Sequence, residues 1–160
     1  MMGAGKSAVG RALAAHLGVP FVDSDAEIER AAGRPIAAIF QHEGEARFRE
    51  RERAAIAAWA GRAAVVALGG GAIAQPGAAE RLAASGAVVY LKAAPETLLA
   101  RVGEARRRPL LHGLDDAGRL AEIRRLLEER AAAYESAEIV VQTDDRDVEA
   151  VAAAVAEELT

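Results

Sequence analysis

The sequence predicts an α/β fold, a parallel sheet with helices on both faces. Three observations carry that reading. Short aliphatic runs alternate with amphipathic stretches along the chain, and such alternation implies parallel pairing through crossover helices. The pairs Val65-Val66, Val88-Val89 and Val140-Val141 suit strands covered on both faces. The string Gly3-Ala4-Gly5-Lys6-Ser7 opens a helical pattern, as a phosphate-cradling loop does.

The elements follow in order. A helix is expected over Lys6–Leu17, then a short strand over Phe21–Asp23. Helices over residues 26–32, 35–41 and 45–60 lead to a strand at 64–68. A helix at 76–84 and a strand at 87–91 come next, then helices at 95–104 and 116–134. A strand at 138–142 and a helix at 147–159 complete the set. Pro35, Pro76 and Pro95 stand where first-turn prolines would. The tail keeps Val148, Val151, Val155 and Leu159 on one helical stripe despite its alanine content. No fixed-period repeat interrupts this order.

Length and composition bound the function. At 160 residues, one domain spanning the chain is the expectation. Hydrophobic residues at 52% and charged residues at 28% argue for a globular chain and against disorder. A net charge of −4 is the wrong sign for a phosphate-backbone binder, so nucleic acid is not the expected partner. Without cysteine there is no disulfide, thiolate nucleophile or cysteine-held zinc. No apolar run reaches the length of a membrane span, and the first residues lack the pattern of a signal peptide. The expectation is a cytoplasmic protein without a membrane partner.

The chemistry-bearing strings are short. In Gly3-Ala4-Gly5-Lys6-Ser7, small residues let successive N–H groups face phosphate oxygens, and the following helix adds its positive end. Lys6 would bridge phosphates and Ser7 would reach Mg²⁺. Asp23-Ser24-Asp25 follows a strand, so one carboxylate can hold Mg²⁺ through water while the other accepts a hydroxyl proton. The same string could simply cap the next helix. The run from Glu45 to Arg53 reads mostly as a solvated helix face, and one inward arginine would offer a fork to a carboxylate or phosphate. Gly69-Gly70-Gly71 ends a buried strand, where α/β sheets bind ligands against bare backbone. Arg106-Arg107-Arg108-Pro109-Leu110-Leu111 reads as a cationic lid. Arg130 and Tyr134, four apart, could be an ordinary surface pair. His16, His42 and His112 share no metal-ligand spacing, and Trp59 reads as a core or interface filler.

Taken in order, G-x-G-K-S, D-x-D, F-R-x-x-E, G-G-G, R-P-L-L and R-x-x-x-Y resemble the shikimate kinases, from Met2 to about Tyr134. The resemblance implies a P-loop NTPase-like three-layer sandwich with a five-stranded parallel sheet and a lid at about 104–116. It implies transfer of the γ-phosphoryl of ATP to the 3-hydroxyl of shikimate, with Mg²⁺ as cofactor, in a monomer. It implies that Lys6, Asp25 and Arg108 are catalytic, and that Asp25, Arg49, Gly69, Gly70, Gly71 and Arg130 hold shikimate, with Glu52 supporting Arg49. Gly3, Ala4, Gly5, Lys6, Ser7, Ala8, Arg101, Arg108 and Arg146 would hold the nucleotide, and Ser7 and Asp23 the metal. Val148 stands where the family's adenine-side loop usually has proline. Another small-molecule P-loop kinase, gluconate-kinase-like, and a non-catalytic binding module remain the alternatives at this point.

One departure stands out. The first glycine of the loop motif would lie upstream of Met1, together with the strand that feeds the loop. In the resembled family that strand lies inside the sheet, so two strand edges are expected to lack partners. The expectation is a native start about ten residues earlier, or else a poorly folded chain that binds ATP weakly.

Overall fold

The computed structural model describes residues 1–102, 111 and 113–159. In chain order the elements are α1 (Lys6–Leu17), β1 (Phe21–Asp23), α2 (Ser24–Ala32), α3 (Ile36–Ala57), β2 (Val65–Ala67), α4 (Ala78–Ala83), β3 (Val89–Lys92), α5 (Pro95–Val102), α6 (Asp116–Glu135), β4 (Ile139–Gln142) and α7 (Val148–Glu158).

Local chemistry explains most boundaries. Gly18 ends α1, sending its N–H back to the carbonyls of Ala14 and Ala15. Asp23, Asp115 and Asp147 cap α2, α6 and α7 by accepting backbone N–H groups of the first turn. Pro95 opens α5 as a first-turn proline should. Pro35 and Pro76 instead stand outside their helices, which begin at Ile36 and Ala78.

The two helices expected at 35–41 and 45–60 form α3, broken at Gly44. There φ is 78° and ψ 171°, a conformation closed to residues with a Cβ, so the axis changes direction at that point. Arg51 spans the break, reaching Glu43 at 2.9 Å.

All strand pairing is parallel, as expected. Phe21, Val22 and Asp23 of β1 face Val65, Val66 and Ala67 of β2. Val89 to Lys92 of β3 face Ile139 to Gln142 of β4. Among the described residues the sheet is in two pieces, because β2 and β3 do not pair with each other. Between them lies a cavity of about 400 Å³, lined by Val66, Leu68, Val88 and Tyr90 and floored by Val9 and Leu13 of α1. The interruption matches the expectation of two strand edges without partners.

The main core lies under β3 and β4. Leu98, Ile123, Leu126, Val151 and Val155 are essentially buried there, together with Leu111. Each such side chain contributes about 1.5–3 kcal/mol on leaving water. A smaller cluster of Ile28, Ile39 and Phe48 joins α2 to α3. No helix among the described residues is long and apolar enough to cross a membrane.

Candidate active site

The site is organised around the glycine turn that follows β2. A Cβ on Gly69 would lie 2.7 Å from Oε1 of Glu52 and 2.9 Å from Oδ1 of Asp25. On Gly71 it would lie 2.9 Å from Nη2 of Arg49, and on Gly70 3.7 Å from Nη1 of Arg130. The backbone is therefore bare because charged groups from α2, α3 and α6 already crowd it. Asp25, Arg49, Arg130 and the three glycines, expected together, are brought together.

Arg49 is held from behind. Its Nη1 donates to Glu52 at 2.8 Å, and its Nε and Nη2 reach Glu45 at 3.3 and 3.2 Å. Glu52 is buried, and its Oε1 has no hydrogen-bond partner among the described residues. Burial of a carboxylate is tolerated here because a guanidinium lies against it. The rest of the run behaves as a solvated face, with Arg47 pairing Glu50 three residues on.

Asp23 does two jobs at once. Its Oδ1 accepts the N–H groups of Asp25 and Ala26 at 3.1 and 3.4 Å, while its Oδ2 accepts the Ser7 hydroxyl at 2.8 Å. Asp23 is thus the helix cap and at the same time the partner of Ser7. Ser7 and Asp23 together present the hard oxygens that Mg²⁺ prefers.

The loop leading to α1 has Gly5 as its cap, with no side-chain hydrogen bond at the cap. Lys6 extends its ammonium to the carbonyl of Met1 at 2.7 Å. Ala4 is buried in the main core, and Ala8 is exposed. On the far side, Arg101 grips Thr143 through the hydroxyl at 2.8 Å and the carbonyl at 2.6 Å. Asp144 accepts the Ala94 N–H at 3.1 Å. Hydrogen bonds from the Thr97 side chain and then that N–H hold its carboxyl below the usual range. Arg146 donates to the Ala150 carbonyl at 2.8 Å, beside an exposed Val148. Arg101 thus grips the start of the segment 143–147, and Arg146 belongs to that segment. Arg108, with the rest of 103–110 and His112, lies outside the described residues. Of the expected lid, Leu111 is fully buried.

Two contributors were not legible as such. Tyr134 is buried, which overturns the surface-pair alternative. Its hydroxyl donates to the Gly70 carbonyl at 2.5 Å, and its ring stacks on Tyr90 with centroids 4.9 Å apart. Burial pushes its ionisation upward, and the cationic Arg130 beside it offsets part of that. Ser24, also buried, accepts the Gly69 N–H at 3.1 Å. Only its place between two aspartates marked it in the sequence.

Comparison with known proteins gives the family. The model of the family "Shikimate kinase" matches residues 2–160. The shikimate kinase of Symbiobacterium thermophilum is 46% identical over 163 residues, covering 99% of this chain and 92% of its own. That of Desulforudis audaxviator is 48% identical over 143 residues, covering 89% and 74%. The solved shikimate kinase from Acinetobacter baumannii in complex with shikimate superposes with a TM-score of 0.90 at 40% identity, over 98% of this chain and 87% of that one. The Bacteroides thetaiotaomicron shikimate kinase does so at 0.92 and 34%, over 99% and 94%. With the whole chain matched, sheet and site included, the protein belongs to the shikimate kinase family.

Proposed function

We propose that the glycine turn with Asp25, Arg49 and Arg130 is the shikimate site, and that residues 3–7 with Lys6 receive the phosphates of ATP. As a shikimate kinase the chain transfers the γ-phosphoryl of ATP to the 3-hydroxyl of shikimate. The single observation that carries the residue assignment is the convergence of two guanidinium groups, Arg49 and Arg130, and two carboxylates, Asp25 and Glu52, on a bare backbone turn. That turn abuts the phosphate loop, since a Cβ on Gly70 would lie 3.6 Å from the Met2 nitrogen. Shikimate offers one carboxylate and three hydroxyls, which match two arginines, an aspartate and free peptide groups.

In the reaction, Asp25 orients the 3-hydroxyl and accepts its proton. The oxygen forms a bond to the γ-phosphorus as the bond to the β,γ-bridging oxygen breaks, releasing ADP. Lys6 and Arg108 neutralise charge on the transferring group, and positioning supplies most of the rate. Gly3, Ala4, Gly5, Ser7 and Ala8 surround the phosphates, and Arg101 and Arg146 border the adenine. The oxygens of Ser7 and Asp23, 2.8 Å apart, fit Mg²⁺, with Asp23 acting through water. When bound, that ion adds charge neutralisation at the phosphates. A monomer in a cytoplasmic setting is part of the same reading, with ATP as co-substrate.

A coupled assay of ADP release, with and without shikimate, tests the reading. Shikimate-dependent release at a rate that falls on Mg²⁺ chelation is the expected result. Turnover of gluconate with none of shikimate would refute it.

A further inference from the structure

We propose that the hydroxyls of Ser24 and Tyr134 are paired positioning groups that suspend the glycine turn between the two limbs of the shikimate site. This inference rests on the assignment of that turn to shikimate. Three glycines in a row have no side chains with which to anchor themselves. Local bonds from the Ala72 N–H to the Gly69 carbonyl at 3.1 Å and from Gln75 to the Gly71 carbonyl at 3.3 Å leave the Gly69 N–H and the Gly70 carbonyl to be held from outside. Two buried hydroxyls hold them from opposite sides. Ser24, at the start of α2, accepts the N–H of Gly69 at 3.1 Å. Tyr134, near the end of α6, donates to the carbonyl of Gly70 at 2.5 Å. A second acceptor near that phenol is the Met1 sulfur at 3.7 Å, a weak one.

The position of each hydroxyl in the chain gives the pairing its meaning. Ser24 is the neighbour of Asp25, and Tyr134 stands one helical turn beyond Arg130. Each tether therefore sets the distance from one charged group to the backbone on which shikimate lies. The tethers join segments 45 and 64 residues apart, so no local turn preference can replace them. Neither hydroxyl is needed at the reacting atoms. Their loss should appear in shikimate recognition and not in ATP recognition or the chemical step.

Tyr134→Phe is the decisive variant, because it keeps the ring on Tyr90 and removes only the oxygen. The expected result is a shikimate KM raised about tenfold, with kcat and the ATP KM within about twofold of the parent. Amide exchange of peptides spanning 69–72 should accelerate about tenfold, with the melting temperature within a few degrees. Ser24→Ala should do the same, Ser24→Thr should restore the parent values, and the double variant should cost less than the product of the two singles. An unchanged shikimate KM in Tyr134→Phe with unchanged exchange would overturn the proposal, as would equal rises in both KM values. Should Tyr134→Phe fail to fold, the Ser24→Ala and Ser24→Thr pair decides on the same readouts. If the parent chain does not phosphorylate shikimate, the functional reading fails, and the exchange measurement alone still decides whether the hydroxyls hold the turn.

Discussion

The acceptor half of the site and the nucleotide half are built in different ways. On the acceptor side, Asp25, Arg49 and Arg130 come from three helices and meet at a turn. A buried glutamate holds Arg49, and two buried hydroxyls hold the turn. On the proposed nucleotide side, residues 3–7 and the start of α1 form one continuous loop and helix. A separate clasp of Arg101 on Thr143 borders it. The first half depends on distant parts of the chain finding one another, the second mainly on local backbone conformation. Substitutions should therefore separate cleanly, with acceptor-side changes appearing in kcat or the shikimate KM and nucleotide-side changes in the ATP KM.

The largest test is Asp25→Asn. It keeps the shape and removes the proton acceptor, so kcat should fall by roughly 10²–10⁴-fold while shikimate affinity changes little. An ATP KM that rises as much as kcat falls would break the division between the halves.

Arg49→Ala comes next. Loss of a charge-assisted fork costs about 1.5–3 kcal/mol, so the shikimate KM should rise roughly 10- to 150-fold. The same change leaves Glu52 buried without its cation, so the melting temperature should also fall. Arg49→Met combined with Glu52→Leu should recover most of the melting temperature and none of the shikimate affinity. Recovery of both would mean that Arg49 is structural only.

Arg101→Ala should raise the ATP KM several-fold by removing two hydrogen bonds worth about 0.5–1.5 kcal/mol each, with the shikimate KM unchanged. The smallest effect is expected for Arg47→Ala. Its ion pair with Glu50 is exposed, so stability should shift by less than about 0.5 kcal/mol and kinetics not at all. Titration with ATP and with shikimate, each at saturating levels of the other, separates these outcomes.

What could be read from the chain divides along the same line. The phosphate loop, the helix from Lys6 to Leu17 and the strand from Phe21 to Asp23 are local patterns, and the structure has them at the expected residues. The order of motifs carried the acceptor residues, since Asp25, Arg49 and the glycines are identifiable only as a set. The burial of Tyr134 had no sequence signal, because a tyrosine four residues from an arginine looks the same on an exposed face. Ser24 looked like a capping residue, yet Asp23 caps the helix and Ser24 turns to the glycines. Both depend on where β2 comes to lie, which no local pattern encodes. The shift of β3 from residues 87–91 to Val89–Lys92 has a similar origin, since the partner Ile139–Gln142 sets which residues join the ladder.

The break in α3 acts as a lever. Arg49 lies five residues past Gly44, about 7.5 Å along the helix axis at 1.5 Å per residue. A change of about 10° in direction at Gly44 would swing the base of Arg49 sideways by about 1.3 Å, and its guanidinium further. Misplacements of that size cost a bound reactant orders of magnitude in rate. The angular tolerance of the proposed carboxylate grip is thus set by one glycine and by the Glu43–Arg51 ion pair that spans it.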